Sequence, residues 1–158
     1  GSAKRWYPQR FAEAAAAMSE SHDIVIFGSA QERDIAGDIA LCLEERGVKN
    51  YSNLAGETDI AELCSHIAGL SLFVTADSGP MHIAAAYKIP TVAIFGPTKH
   101  RETAQWRNPD GIILRRDMDC APCMKRECPL KTHECMKAIG AQEVVAQLQK
   151  LASRAQKR

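Results

Sequence analysis

Residues 74–87 read Val-Thr-Ala-Asp-Ser-Gly-Pro-Met-His-Ile-Ala-Ala-Ala-Tyr and join a predicted strand to a predicted helix through a short polar turn. The first N–H groups of a helix have no partner within the helix, and its N-terminus carries partial positive charge. α/β proteins bind phosphate groups with this geometry. We therefore expect the turn at Asp77-Ser78-Gly79 to face a ligand, with His82 in the first helical turn facing the same point.

Short β-branched runs alternate with amphipathic helical patterns along the rest of the chain, which is typical of βαβ units. The predicted strands cover 23–27, 51–54, 72–75, 91–95 and 111–114. Helices are predicted from Pro8, after Ser29, after Asp59, over 79–87 and over 141–153. The predicted fold class is α/β, a Rossmann-like parallel sheet with helices on both faces.

The length of 158 residues favours one domain, so residues 1–158 are predicted to form a single ligand-binding domain. A cysteine-rich loop at 117–137 precedes the C-terminal helix. The sequence shows no basic-then-apolar leader and no apolar run near the roughly 20 residues that span a bilayer. The expected location is the cytoplasm.

The charge is unevenly distributed along the chain, although the net charge is only +1. Lys and Arg are concentrated in the last third, which suits either an anionic substrate or membrane surface, or simply a solvated face. Aromatic residues do not alternate with the basic ones, so nucleic-acid binding is not predicted.

The polar residues at the strand end have two interpretations. In open α/β sheets ligands bind beyond the carboxyl ends of the strands, where Asp77, Ser78 and Gly79 lie. The alternative is that Asp77 or Ser78 only caps the helix and that His82 is a core histidine.

Two further residues are candidates for the same site. Lys4 lies in a loop before the first helix and could reach a phosphate as a point charge, or it could be an ordinary surface lysine. Glu32 could bond a ribose hydroxyl, or it could complete a capping box with Ser29.

Four cysteines form the second distinctive cluster, with the spacing C-x2-C-x4-C-x6-C. Thiolates that bind a structural zinc ion would hold this loop together. Free thiols and disulfides are the alternatives, and a reducing cytoplasm disfavours disulfides. The candidate ligands are Cys120, Cys123, Cys128 and Cys135.

Several motifs together resemble glycosyltransferase family 9, the family of ADP-heptose:lipopolysaccharide heptosyltransferases, and within it the heptosyltransferase II type. They follow the order of the family and span nearly the whole chain. The motifs are Lys4-Arg5-Trp6, Phe27-Gly28-Ser29-Ala30, Asn53-Leu54-Ala55-Gly56-Glu57-Thr58, Asp77-Ser78-Gly79-Pro80-Met81-His82-Ile83-Ala84-Ala85-Ala86 and Phe95-Gly96-Pro97-Thr98.

The resemblance implies a GT-B glycosyltransferase, and this chain is similar to its C-terminal, donor-binding half. The first strand of that half is central in the family, between the strands predicted at 23–27 and 72–75, and it is not recognised in this sequence. Unpaired buried strand edges are costly, so we expect another segment or another molecule to fill the gap.

The resemblance also implies the roles of the site residues. Ser78 and Gly79 would present N–H groups to the diphosphate, while Lys4 and His82 would neutralise it and stabilise the leaving group. Asp77 would contact the sugar or diphosphate, and Glu32 would approach the ribose. The stretch 55–58 would lie near the adenine.

The implied reaction transfers heptose from ADP-heptose to the lipopolysaccharide inner core, with inversion and without a metal cofactor. The general base and the acceptor site belong to the N-terminal domain of the family, so this chain alone is expected to be inactive. Peripheral association with the inner membrane is expected. The alternatives are another GT-B enzyme, with a different donor or epimerase activity, and a non-catalytic domain held together by its cysteines.

Overall fold

The computed structural model describes residues 1–157, and the contacts of the chain divide it into two compact units. The small unit is Tyr7–Leu63, and the large unit combines Gly1–Trp6 with the residues from Cys64 onward. The prediction of a single donor-binding domain over 1–158 stays a prediction.

The small unit contains two helices and a two-stranded parallel sheet. Its elements are α1 (Pro8–Met18), β1 (Ile24–Ile26), a 3₁₀ turn (Ala30–Glu32), α2 (Arg33–Glu45) and β2 (Tyr51–Asn53). Helix α1 packs against α2. Apolar residues from both helices and both ends of the sheet form the core, namely Ala12, Ile26, Ala36, Leu43, Val48 and Ala55.

The helix starts follow the local signals of the sequence. Pro8 is the first residue of α1, where its missing N–H costs nothing. The backbone N–H of Ser29 donates to Glu32 Oε1 at 3.0 Å, so the predicted capping box is present. Glu62 N–H donates to Asp59 Oδ1 at 2.8 Å before the next helix. Hydrogen bonds with Glu62 lower the pKa of Asp59.

The large unit is built around a three-stranded parallel sheet in the order β3-β4-β5. Helix α3 spans the boundary between the units. The elements from α3 onward are α3 (Ile60–Ala68), β3 (Phe73–Ala76), α4 (Gly79–Ala86), β4 (Thr91–Ile94), α5 (His100–Thr103), β5 (Gly111–Leu114), α6 (Glu134–Lys137) and α7 (Ala141–Gln156). The central strand β4 is buried along its whole length, since α4 and α7 both pack against it.

The register of this sheet brings three chain segments to one edge. Ala76 pairs with Ile94, and Ile94 pairs with Leu114. Because the strands are parallel, the residues after each strand lie at the same carboxyl edge. The polar turn after β3 and the loops after β4 and β5 therefore share that edge.

The structure extends the predicted elements at three places. Two four-residue helices, α5 and α6, were not predicted, because four residues are too few to show a helical period. Helix α6 lies inside the stretch 117–137 predicted as a loop. The C-terminal helix runs three residues beyond the predicted 141–153, since its last residues are helix formers without an apolar stripe.

The two sheets are separate from one another in hydrogen bonding. Within residues 1–157, β1 pairs with β2 and β3 pairs with β4, and β1 and β3 do not pair with each other. Direct pairing of these strands would have contradicted the predicted gap. What fills that gap stays a prediction.

Candidate functional site

The turn between β3 and α4 leaves the start of the helix open. Ser78 occupies the N-cap position with extended backbone, but its side chain makes no capping bond to the helix. Its Oγ lies instead 3.0 Å from Thr75 Oγ1. Pro80 has no N–H, so the remaining N–H groups of the first turn are the donors offered to a ligand. The helix has eight residues, and its positive end faces the carboxyl edge of the sheet.

Asp77 is a buried carboxylate that contacts a lysine from the start of the chain. Lys4 Nζ lies 3.5 Å from Asp77 Oδ2, with the Asp77 side chain 6% exposed and the Lys4 side chain 42% exposed. Thr103 Oγ1 donates to the same carboxylate oxygen at 3.4 Å. The structure thus brings Lys4 to the strand end, where its charge offsets that of the buried carboxylate.

The position of Lys4 is set by hydrogen bonds of the residues around it. The indole N–H of the buried Trp6 donates to Ile139 O at 3.0 Å. Ala3 N–H donates to Arg126 O at 3.0 Å, and His133 Nε2 lies 2.9 Å from Ala3 O. The opening loop is therefore held by the cysteine-rich loop and by the segment before α7.

Gly79 and His82 are both exposed on the first turn of α4. A Cβ added at Gly79 would meet no atom within 4 Å, and Gly79 does not have positive φ. Neither the packing nor the backbone of the protein requires glycine there. The space above this position is open to a ligand.

Glu32 belongs to the small unit, whereas the other candidate residues belong to the large unit. One oxygen of its carboxylate is occupied by the capping bond to Ser29. On the neighbouring loop, Arg33 Nη2 donates to Gly56 O at 3.1 Å, and the same nitrogen lies 3.7 Å from Glu57 Oε1. The stretch 55–58 is thus held by an arginine.

Sequence reasoning missed two of these contacts, those of Arg33 and Thr103. Neither residue belongs to a motif, and each reaches its partner only because the chain folds back. Position at the end of a strand was the signal for Asp77 and Ser78. A residue that is distant in sequence from its partner carries no such signal.

The four cysteines of the cysteine-rich loop line one cavity, which His133 also lines. None of the four forms a disulfide within the described residues. Hydrogen bonds led by the His133 N–H lower the pKa of Cys128. Burial first, and then the neighbouring cysteines, raise the pKa of Cys135. Within residues 1–157, no three His, Cys, Asp or Glu side chains are arranged as a metal centre.

Among residues 1–157, none of the helices has both the length and the apolar character needed to cross a bilayer.

Comparison with known proteins identifies relatives of this chain. A sequence model described as glycosyltransferase family 9 (heptosyltransferase) matches residues 1–134. Lipooligosaccharide heptosyltransferase 2 of Campylobacter jejuni is 46% identical over 154 residues, which are 97% of this chain and 48% of that protein. Lipopolysaccharide heptosyltransferase 2 of Escherichia coli is 39% identical over 99 residues, covering 62% of this chain and 28% of that protein.

Solved structures agree with these sequence relatives. The structure of E. coli ADP-heptose lps heptosyltransferase II superposes with a TM-score of 0.81 at 30% identity, covering 99% of this chain and 44% of that chain. The chain spans about half the length of Campylobacter lipooligosaccharide heptosyltransferase 2 and of the E. coli structure. The predicted fold class, a Rossmann-like α/β half of a family 9 enzyme, is confirmed, as is the predicted family.

Proposed function

Because this chain belongs to glycosyltransferase family 9, we propose that it is the C-terminal, donor-binding half of an inverting, metal-independent heptosyltransferase. The complete enzyme moves heptose from ADP-heptose to the inner core of lipopolysaccharide. Two relatives support the proposal, the heptosyltransferase 2 of Campylobacter and the structurally similar ADP-heptose lps heptosyltransferase II of E. coli. The substrates of the complete enzyme are the donor, ADP-heptose, and the acceptor, the inner core of lipopolysaccharide.

The observation that carries the proposal is the open N-terminus of α4 beside the pair Lys4–Asp77. A nucleoside diphosphate has two phosphates to place. N–H groups of the first helical turn bind one of them. The cationic Lys4 and the imidazole of His82 stabilise the negative charge that develops on the diphosphate when it leaves the sugar.

The leaving group explains why these side chains suffice without a metal ion. When the bond from the sugar to the diphosphate breaks, negative charge grows on the phosphate oxygen. Fixed donors stabilise that charge more in the transition state than in the bound substrate, which lowers the barrier. Asp77 holds Lys4 in position and contacts the sugar, while Glu32 contacts the ribose.

The remaining catalytic groups lie outside this chain in the proposal. The general base is an aspartate of the N-terminal half. The acceptor site also belongs to that half. The chain by itself therefore binds the nucleotide and does not transfer sugar. The enzyme works in the cytoplasm at the inner membrane face, where its lipid-linked acceptor is exposed.

Calorimetric titration with ADP and with UDP, without divalent metal, tests this proposal. ADP is expected to bind more tightly than UDP, and His82→Ala is expected to weaken ADP binding about tenfold, the worth of one hydrogen bond to a charged group. His66→Ala is the matched control, because it removes an exposed imidazole from α3 and should leave ADP binding unchanged.

Each outcome has a distinct meaning. A preference for UDP would replace the proposal with another GT-B enzyme that uses a different donor or acts as an epimerase. ADP binding that does not respond to His82→Ala would remove His82 from the site. Absence of any nucleotide binding by a folded protein would favour the non-catalytic, cysteine-held domain.

We also propose that Cys120, Cys123, Cys128 and Cys135 hold a structural zinc ion. The support is chemical, since the four cysteine side chains line one cavity without disulfides, and Glu134 is the one carboxylate among the described residues that lines it. The thiols do not form a closed ligand set on their own. Binding would draw them together, because metal binding and local folding are coupled.

Metal analysis of protein prepared under reducing conditions tests the zinc proposal. One zinc per chain is expected, with Co²⁺ substitution giving the absorption bands of a tetrahedral thiolate site. Cys123→Ser should abolish both signals. Cys42→Ser, which alters a cysteine outside the loop, should abolish neither. Zinc-free protein that binds no added Zn²⁺ would disprove the proposal.

A further inference from the structure

A second polar recess lies at the carboxyl edge of the sheet, beyond β4 and β5. It is shallow and partly open to solvent. Its polar lining consists of Thr98 and His100, which follow β4, and Arg115 and Arg116, which follow β5. No carboxylate side chain of residues 1–157 lines it. The recess is therefore distinct from the turn at Asp77, which follows β3.

The hydroxyl of Thr98 has no hydrogen-bond partner within the described residues 1–157. Thr98 is only 7% exposed, so water does not readily replace the missing partner. Leaving a buried hydroxyl unpaired is unfavourable, because the group loses its hydrogen bond to water and gains none in return. Buried polar groups without partners are rare in folded proteins, and this one lies in the wall of a recess.

The two arginines retain donors for a ligand in the recess. Arg115 pairs with Asp117, whose side chain is 90% exposed, and Arg116 pairs with the half-buried Glu143. A guanidinium has five N–H donors, so one carboxylate does not saturate it. The pair Arg116–Glu143 holds its guanidinium in place, while the exposed Asp117 is readily replaced.

The pKa of His100 depends on the charges around this recess. Burial lowers the pKa of His100, and the positive charges of Arg115 and Arg101 lower it further, against a smaller opposing effect of Asp117. Within residues 1–157, Arg115, Arg101 and Asp117 are the charged groups that shift this pKa. A negative ion in the recess would oppose both effects.

We infer that this recess binds an oxyanion, a phosphate or carboxylate group, as a subsite separate from the turn at 77–82. Thr98 donates its unpaired hydroxyl, and Arg115 and His100 supply charge-assisted hydrogen bonds. The residues that line the recess do not belong to the turn at 77–82, whatever nucleotide binds there.

Sulfate and acetate are suitable probes, because they represent the tetrahedral and the planar oxyanion and neither titrates between pH 6 and 8. Sulfate is expected to shift the NMR signals of the His100 ring and to raise its pKa, since the ion stabilises the charged imidazolium. By linkage, sulfate affinity should rise as the pH falls through that pKa. A stronger response to acetate would assign the recess to carboxylates.

Matched variants separate this recess from other anion sites. Thr98→Val and Arg115→Gln should each weaken sulfate binding at His100 about tenfold, while Arg107→Gln removes an equal charge outside the recess and should have no effect. His82→Ala should leave the His100 response intact, so loss of nucleotide binding at the turn is distinguishable. Unchanged binding in Thr98→Val and Arg115→Gln, or no response of His100 to either ion, would overturn the inference.

Discussion

Replacing Gly79 with alanine is expected to weaken ADP binding about a hundredfold without lowering the melting temperature. The added methyl meets no protein atom within 4 Å, so the fold has no reason to change. The added methyl would occupy the open space above the first turn of α4, where the proposed phosphate must approach the backbone. A phosphate held by backbone N–H groups cannot keep its distances when a methyl lies between them.

Calorimetry and thermal unfolding of the same protein preparation check this prediction. The expected combination is lost ADP affinity with an unchanged melting temperature. Unchanged affinity would show that the diphosphate does not contact Gly79, and the proposed position of the nucleotide would then be wrong. A fall in melting temperature would instead contradict the open space at this position.

Replacing Gly96 with alanine is expected to destabilise the protein by about 1–3 kcal/mol, the usual cost of overpacking a core. A Cβ at this position would lie 2.6 Å from Met136 Sδ and 3.0 Å from Cys135 Sγ. Methionine is flexible, but Met136 is completely buried and cannot turn outward. The melting temperature should fall by roughly 2–12 °C.

Gly37→Ala is the matched control for the stability measurement. Gly37 lies inside α2, and a Cβ there meets nothing within 4 Å. Alanine should stabilise that helix by roughly 0.5–1 kcal/mol, because glycine loses more backbone entropy on folding. Equal melting temperatures for wild type and Gly96→Ala would mean that the loop after β4 shifts without cost, which would contradict its close packing on α6.

Most elements of the fold could be predicted because their signals are local. The strand at 91–95 is a short apolar run, and the structure buries it on both faces. The capping pairs Ser29–Glu32 and Asp59–Glu62 depend on residues three apart, and both are present. The short helices α5 and α6 were missed because propensity over four residues carries little information.

The candidate site was predictable in part for a related reason. Asp77, Ser78 and Gly79 follow a strand directly, so their place at the carboxyl edge follows from the order of elements in the chain. Thr103 and Arg33 were missed because the folded chain, and no motif, brings them to their partners. The unpaired hydroxyl of Thr98 was also invisible, since hydrogen-bond satisfaction depends on every neighbouring atom.

The sequence by itself determined the alternation of strands and helices, the polar turn before α4 and the family, because each depends on neighbouring residues or on motif order. Only the tertiary structure decided that Lys4 meets Asp77 and that four cysteines line one cavity. The physical reason is that such contacts join residues far apart in the chain. Their positions are set by the packing of the opening loop through Trp6 and by the register of the sheet.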